Sequence, residues 1–355
     1  MQTKLTIQDL THLAKLHVVP ISVLIEVCYS CNESCLHCFL PDHKKEGLTL
    51  DQYNDLFSEL VKAGTMFVIL TGGDPFTRKD FLEIVRLARK KRLSVTIFTN
   101  GTLLNKEIIA NLKSLFVNEV HISLYGSDSD THDSITRLPG SFEKSLDGVR
   151  MLLNSGIRVR IKSPLMTTTV KEFDSVKRLA HEMGVNIQFG TTITAKDDGD
   201  QSTKNLQITG HNLKKILRDP IVSPSSSEPV HFINDSDCIP CDTVLNGGAI
   251  DPQGNVFPCN QMRVKGGNIL ETPFSEIWKQ SPVFENLRSI KLRDLVACST
   301  CELFEFCTRC PGLSLLEDGD LLGCSESAKL VACARKEVGL YPTQRHIFST
   351  LKQPE

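Results

Sequence analysis

The stretch Val23-Leu-Ile-Glu-Val27, followed by Cys28-Tyr-Ser-Cys31-Asn-Glu-Ser-Cys35-Leu-His-Cys38-Phe39, sets a short β-branched run directly against four thiols. Within it Cys31, Cys35 and Cys38 form a C-x3-C-x2-C pattern, with an aromatic residue beside the last thiol. Thiolates this close on one loop converge either on zinc, where C-x2-C elements are common, or on an iron-sulfur cluster. A cubane held wholly by cysteine takes four thiolates. Three leave one iron open to chelate a ligand.

Working outward, short β-branched runs alternate with helical patterns. The strand candidates are Val23-Val27, Phe67-Leu70, Ser94-Phe98, Glu119-Leu124, Arg158-Lys162 and Asn186-Phe189. Helical periodicity covers Leu50-Lys62, Lys79-Arg92, Lys106-Leu115, Ser141-Asn154 and Lys171-Met183, and a short amphipathic helix is expected over Thr6-His17, with Thr6 and Asp9 spaced as a capping pair. Strands alternating with helices imply βαβ units and a parallel sheet. A complete barrel needs eight strands, so six predict an α/β fold with a partial, splayed (β/α)6 TIM-like barrel.

In such barrels the loops after the strand C-termini build the site. The cysteine loop follows the first strand. Thr71-Gly72-Gly73-Asp74-Pro75 follows the second, where paired glycines let backbone approach a ligand closely; no Gly-Lys-Ser/Thr follows, which excludes a Walker loop. Phe98-Thr99-Asn100-Gly101-Thr102 follows the third. The fourth leads into His121-Ile-Ser123-Leu-Tyr-Gly126, then Thr131-His132-Asp133 and Arg137-Leu-Pro-Gly140-Ser-Phe142. Lys162 ends the fifth and is read as facing solvent. Asp197-Asp198-Gly199-Asp200 lacks the spacing and terminal Glu of an EF-hand and reads as an exposed turn.

The chain has 355 residues, 40% of them hydrophobic, and a net charge of -2. That supports a sizeable core and gives no basic footprint for nucleic acid or an anionic membrane. No apolar run approaches a membrane span, and no signal peptide opens the sequence; a cytoplasmic location is expected. The 13 cysteines fall in two groups, four between Cys28 and Cys38 and nine between Cys238 and Cys333. In a large chain without an export signal, metal clusters in a reducing compartment fit this better than disulfides.

Pro220, Pro224, Ser225, Ser226, Ser227 and Pro229 interrupt any regular pattern and mark a linker. Beyond it, Cys238-Ile-Pro-Cys241 precedes a hairpin pattern from Asn246 that presents Cys259. Cys298-x2-Cys301-x5-Cys307-x2-Cys310 then packs four thiols into one loop, and Cys324 and Cys333 follow. Zinc ribbons use paired C-x2-C elements too. The expected organisation is an N-terminal extension (1–20), a barrel (21–219), a linker (220–230), a small cysteine-rich domain (231–340) and a tail (341–355).

These motifs together resemble the radical S-adenosylmethionine (SAM) enzymes. Cys31, Cys35, Cys38 and Phe39 are similar to the signature that holds a [4Fe-4S] cluster with an open iron site, on which SAM binds. Gly72, Gly73, Asp74 and Pro75 are similar to the family's Gly-Gly-Glu-Pro, which holds the SAM amino group, with Asp74 in place of Glu. Resemblance also assigns cofactor contacts to Asn100, to Ser123 and, downstream, to Arg137. The later cysteines resemble the SPASM domain, except that two rather than three residues separate Cys307 from Cys310. This implies two auxiliary [4Fe-4S] clusters. The first takes Cys238, Cys241, Cys259 and Cys310; the second takes Cys298, Cys301, Cys307 and either Cys333, the preferred choice, or Cys324.

Radical SAM enzymes with a SPASM domain mostly modify peptides or proteins. The resemblance therefore implies an oxidoreductase that cleaves SAM to a 5′-deoxyadenosyl radical and abstracts hydrogen from a peptide or protein, leaving an oxidative modification or cross-link. The alternatives are a dehydrogenase or epimerase of a carbohydrate or other small metabolite and, in another class, a zinc-binding adaptor. Expected partners are a peptide or protein substrate, a separate leader-binding protein, and an electron donor such as flavodoxin or ferredoxin.

Overall fold

The computed structural model describes residues 6–40, 42–43, 47–222, 225–227 and 236–342. Part of the linker assigned to 220–230 and most of the tail assigned to 341–355 lie outside the described residues.

The first helix, α1 (Ile7–Leu16), starts at a capping box in which Thr6 and Asp9 each satisfy the other's backbone N–H. Six parallel strands follow, β1 (Ser22–Glu26), β2 (Phe67–Thr71), β3 (Ser94–Thr99), β4 (Glu119–Ser123), β5 (Val159–Pro164) and β6 (Asn186–Gly190), paired in sequence order. The helices that cross between them are α2 (Leu50–Lys62), α3 (Phe81–Lys90), α4 (Lys106–Ser114), α5 (Ser129–Thr136), α6 (Ser141–Asn154) and α7 (Phe173–Glu182). Helix α2 shows why these sequences fold as they do. Thr49 and Gln52 cap its start, and Tyr53, Leu56, Phe57 and Leu60 recur on one face and are buried. Along β2 to β5 burial alternates, as it does where every second side chain faces the helices.

The barrel is open along the β6 edge but not along β1. After α8 (Gly210–Leu217) and the two-residue strand β7 (Ser225–Ser226), the chain forms α9 (Thr243–Asn246) and β8 (Gly247–Ile250). Strand β8 pairs in parallel with β1, from Ser22 opposite Gly247 to Ile25 opposite Ile250. β9 (Asn255–Phe257) and β10 (Gly267–Asn268) continue antiparallel, completing a nine-stranded sheet. The expected hairpin is present, and it covers the backbone edge that an isolated six-stranded sheet would leave unpaired. The remaining helices are α10 (Phe274–Gln280), α11 (Pro282–Ser289), α12 (Val296–Ser299), α13 (Pro311–Asp318) and α14 (Glu326–Val338). β11 (Tyr341–Pro342) returns to pair with β7.

One core runs through both parts: Ile250, Val256, Phe274, Ile277, Trp278 and Phe284 pack with the interior residues of the six strands. Trp278 donates its Nε1–H to the Val18 carbonyl at 2.7 Å, and the Arg288 guanidinium lies 4.4 Å from its ring centre. Among the described residues no helix is long and apolar enough to cross a membrane.

Candidate active site

The cysteine loop leaves β1 and is clamped from two sides. The glycine loop after β2 lies against its backbone, with Gly73 N–H donating to Cys28 O at 2.9 Å and Asp74 N–H to Ser30 O at 2.8 Å. A Cβ on Gly72 would stand 2.0 Å from Cys28 O, and one on Gly73 would stand 2.3 Å from Ser30 O. The two glycines are required first by this approach to the cysteine loop; both also line the cavity above it. On the other side, Asn100 donates to Asn32 Oδ1 at 2.9 Å and reaches Cys31 Sγ at 4.0 Å.

Asp74 also has a structural duty in the loop. It is fully buried, and its carboxylate accepts from Phe76 N–H at 2.9 Å, Thr99 Oγ1–H at 2.6 Å and Asn100 N–H at 2.8 Å. These bonds tie the end of β3 to the β2 loop, and Asp74 is not among the residues that line the cavity. Pro75 is buried beside it.

The cavity at the carboxyl ends of the strands is lined by Cys31, Cys35, Cys38, Phe39, Gly72, Gly73, Asn100 and Ser123. Arg137 is not among its lining. It ends α5 in the left-handed conformation (φ 57°) and lines a second, outer hollow behind the cysteine loop, with Cys31, Cys35 and Cys38. Asp133 makes no ion pair with it and instead accepts from Ser141 Oγ–H and Phe142 N–H at the start of α6.

Sequence reasoning missed several groups in this cavity. Glu33 is almost wholly buried; its Oε2 accepts from the Cys35 thiol at 3.2 Å, its Oε1 has no hydrogen-bond partner, and burial pushes its carboxyl up to about 7. His37 is held neutral, since burial pulls it down to about 4, and its ring meets Tyr125 edge-on at 4.8 Å. Tyr125 in turn donates its backbone N–H to His132 Nδ1 at 3.2 Å. Lys162 points into the cavity, not to solvent, with Nζ 3.6 Å from the centre of the Phe98 ring. A signal did exist for Lys162: alternation along β5 sets it on the same face as Ser123, its register partner on β4.

The later cysteines fall into two further groups. Burial pushes Cys241 up to about 12 and Cys259 up to about 11; as a smaller effect, Cys259 and Cys310 stand near enough to Cys241, and Cys310 near enough to Cys259, to disfavour the thiolates of those two. Cys238 is buried. Cys298, Cys301, Cys307 and Cys324 line one apolar cavity with Leu292, Leu295 and Phe304. Cys333 lies on α14 and is not part of that lining. Cys28 is buried against Ser30 O, Asp74 O and Thr77 Oγ1, a packed position.

The donor set suits thiolate-ligated clusters. Burial pushes Cys31 up to about 12 and raises Cys35 and Cys38 as well. Such thiols stay protonated until a metal displaces the proton. Among the described residues, no three His, Cys, Asp or Glu side chains stand close enough to ligate a single ion.

Comparison with known proteins agrees with this arrangement. Residues 25–182 match the radical SAM superfamily, and residues 238–311 match SPASM, an iron-sulfur cluster-binding domain. The AdoMet-dependent heme synthase of Methanosarcina barkeri is 27% identical over 325 residues, covering 84% of this chain and 93% of that protein. The mycofactocin maturase MftC of Mycolicibacterium smegmatis is 26% identical over 305 residues, covering 81% and 77%. Among solved structures, SuiB of Streptococcus suis bound to S-adenosylmethionine shares the fold, with a TM-score of 0.70 at 16% identity over 90% of this chain and 81% of that one.

Proposed function

Because this chain is a radical SAM enzyme with a SPASM iron-sulfur domain, we propose that it abstracts hydrogen from a peptide or protein and leaves an oxidative modification or cross-link. The observation that carries the proposal is the single cavity lined by Cys31, Cys35 and Cys38, the glycine pair, Asn100 and Ser123. In it the thiolates of Cys31, Cys35 and Cys38 would hold a [4Fe-4S] cluster with one open iron, which with SAM bound would supply the electron for reductive cleavage of SAM. The chain's own residues then have separate duties. Gly72, Gly73 and Asn100 fix the cysteine loop, Phe39 and Ser123 bound the cofactor, and Arg137 supports the loop from the outer hollow. Two auxiliary [4Fe-4S] clusters, on Cys238, Cys241, Cys259 and Cys310 and on Cys298, Cys301, Cys307 and Cys324, suit a reaction that removes an electron from its substrate. A flavodoxin or ferredoxin in a reducing cytoplasm supplies the first electron, and a separate leader-binding protein presents the peptide.

The maturase likeness supports a peptide. A second reading has its own support: the heme synthase likeness spans nearly all of that relative, which favours a tetrapyrrole-sized metabolite. The zinc-adaptor reading is set aside by the two family matches. Anaerobically reconstituted protein, given SAM and reductant with either a candidate precursor peptide from a neighbouring gene or an iron porphyrin, separates the two readings. A mass change in the peptide, in step with 5′-deoxyadenosine, bears out the proposal; turnover of the porphyrin alone overturns it.

A further inference from the structure

Lys162 sits on β5 opposite Ser123 of β4 on one side and Gln188 of β6 on the other. Its ammonium rests on the Phe98 ring, and Phe98 stacks on His121 with ring centres 4.6 Å apart. Phe98, His121, Ser123 and Lys162 line the same cavity as the three cysteines. The next residue along this face of β5, Arg160, has a carboxylate partner. Glu119 spends one oxygen on Arg160 at 3.4 Å and the other on His121 Nε2 at 2.7 Å. Nothing comparable serves Lys162.

Among the described residues Lys162 makes neither an ion pair nor a hydrogen bond, and the contact with Phe98 favours its charge without using any of its three N–H donors. Burial pulls it down to about 8, so it still carries its charge at neutral pH. The cavity thus holds a half-buried cation whose donors are unspent. We propose that Lys162 is the carboxylate anchor of this cavity. A single ammonium flanked by an aromatic face and one hydroxyl matches a carboxylate better than a phosphate, whose three oxygens call for a fork of donors or a backbone nest.

Two sources can bring that group into the chamber, the methionyl carboxylate of SAM or a free carboxylate on the substrate. The inference rests on the proposed reading of the cavity as the cofactor and substrate chamber. It deepens that reading by assigning a chemical class to what binds there.

The test uses reconstituted full-length protein. SAM and its decarboxylated analogue are titrated calorimetrically into wild type, Lys162→Met and Lys162→Arg. In a second arm, 4-fluorobenzoate and 4-fluorobenzamide are titrated into the SAM-loaded proteins and followed by fluorine NMR. If the substrate supplies the carboxylate, Lys162→Met weakens 4-fluorobenzoate by about tenfold, the loss expected for one charge-assisted hydrogen bond, while the amide is unaffected and Lys162→Arg recovers part of the affinity. If SAM supplies it, the same loss falls on SAM and spares the decarboxylated analogue. The proposal is overturned if wild type does not distinguish benzoate from benzamide and Lys162→Met binds SAM as tightly as wild type. Iron content and 5′-deoxyadenosine formation by wild type in the same preparation report separately on the reading beneath it.

Discussion

Burial determines which protonation state each cavity group adopts, and the direction differs from residue to residue. It keeps the thiols protonated in the absence of metal, keeps His37 neutral, and leaves Lys162 charged but only weakly so. For Lys162 the folded-state value of about 8 lies below the ordinary 10.5. Below pH 8 the ammonium is present in both states and is penalised in the folded one; between 8 and 10.5 the unfolded chain binds more protons, so stability rises with pH and the penalty is relieved. Lys162→Met removes that penalty. Urea denaturation from pH 7 to 10.5 is expected to show the variant's advantage over wild type greatest below pH 8 and shrinking steadily above it. An advantage independent of pH would mean that packing, not charge, is responsible. Asp74 teaches a related lesson, since the identity of an acidic residue does not say where its oxygens point. Its three partners come from β3 and its own loop, and only the fold brings them together.

At the scale of elements, the six strands were legible because β-branched runs bounded by turn residues carry a local signal, and helix α2 because its cap and apolar spacing agree. The pairing of β8 with β1 carried no such signal. The two strands lie more than two hundred residues apart in sequence, and parallel partners are linked by no hairpin turn. The choice between Cys324 and Cys333 was equally hidden, because it depends on how the chain folds back between α13 and α14 and not on spacing. The glycine loop was legible as a site, and its glycines meet a second demand that the sequence did not show, the close approach of the cysteine loop's backbone. Gly73→Ala sets a methyl against Ser30 O and Tyr29 O, at 2.3 and 2.4 Å. It is expected to destabilise the apo protein by about 2 kcal/mol or more, as overpacked buried sites do, and to lower iron uptake at this site. Chemical denaturation and iron assay check both; a variant as stable as wild type would show that the two loops separate without cost.

Across the whole molecule, the barrel and the cysteine-rich region are joined by charge as well as by the shared sheet. Arg263, just beyond Cys259, pairs with Glu26 at the end of β1 through two bonds of 2.9 and 2.7 Å and with Asp197 beyond β6 at 2.9 Å, while Tyr29 of the cysteine loop donates to the same Glu26. Glu26 is almost fully buried, so removing its cation leaves an uncompensated charge. Arg263→Met is expected to cost about 3–5 kcal/mol, the range for breaking a buried pair from one side, and Glu26→Gln in the same chain should recover part of it. A single variant that melts with wild type would contradict this account of the junction.

The central claim is that Cys31, Cys35 and Cys38 hold a cluster with an open iron on which SAM is cleaved. The most direct measurement is iron content together with 5′-deoxyadenosine formation, for anaerobically reconstituted wild type and the triple variant with Cys31, Cys35 and Cys38 changed to Ala. Three cubane clusters predict about twelve irons per wild-type chain and about eight in the variant, with SAM cleavage lost. A variant that keeps the full complement of iron or still cleaves SAM, or a wild type that takes up zinc in place of iron, would contradict it.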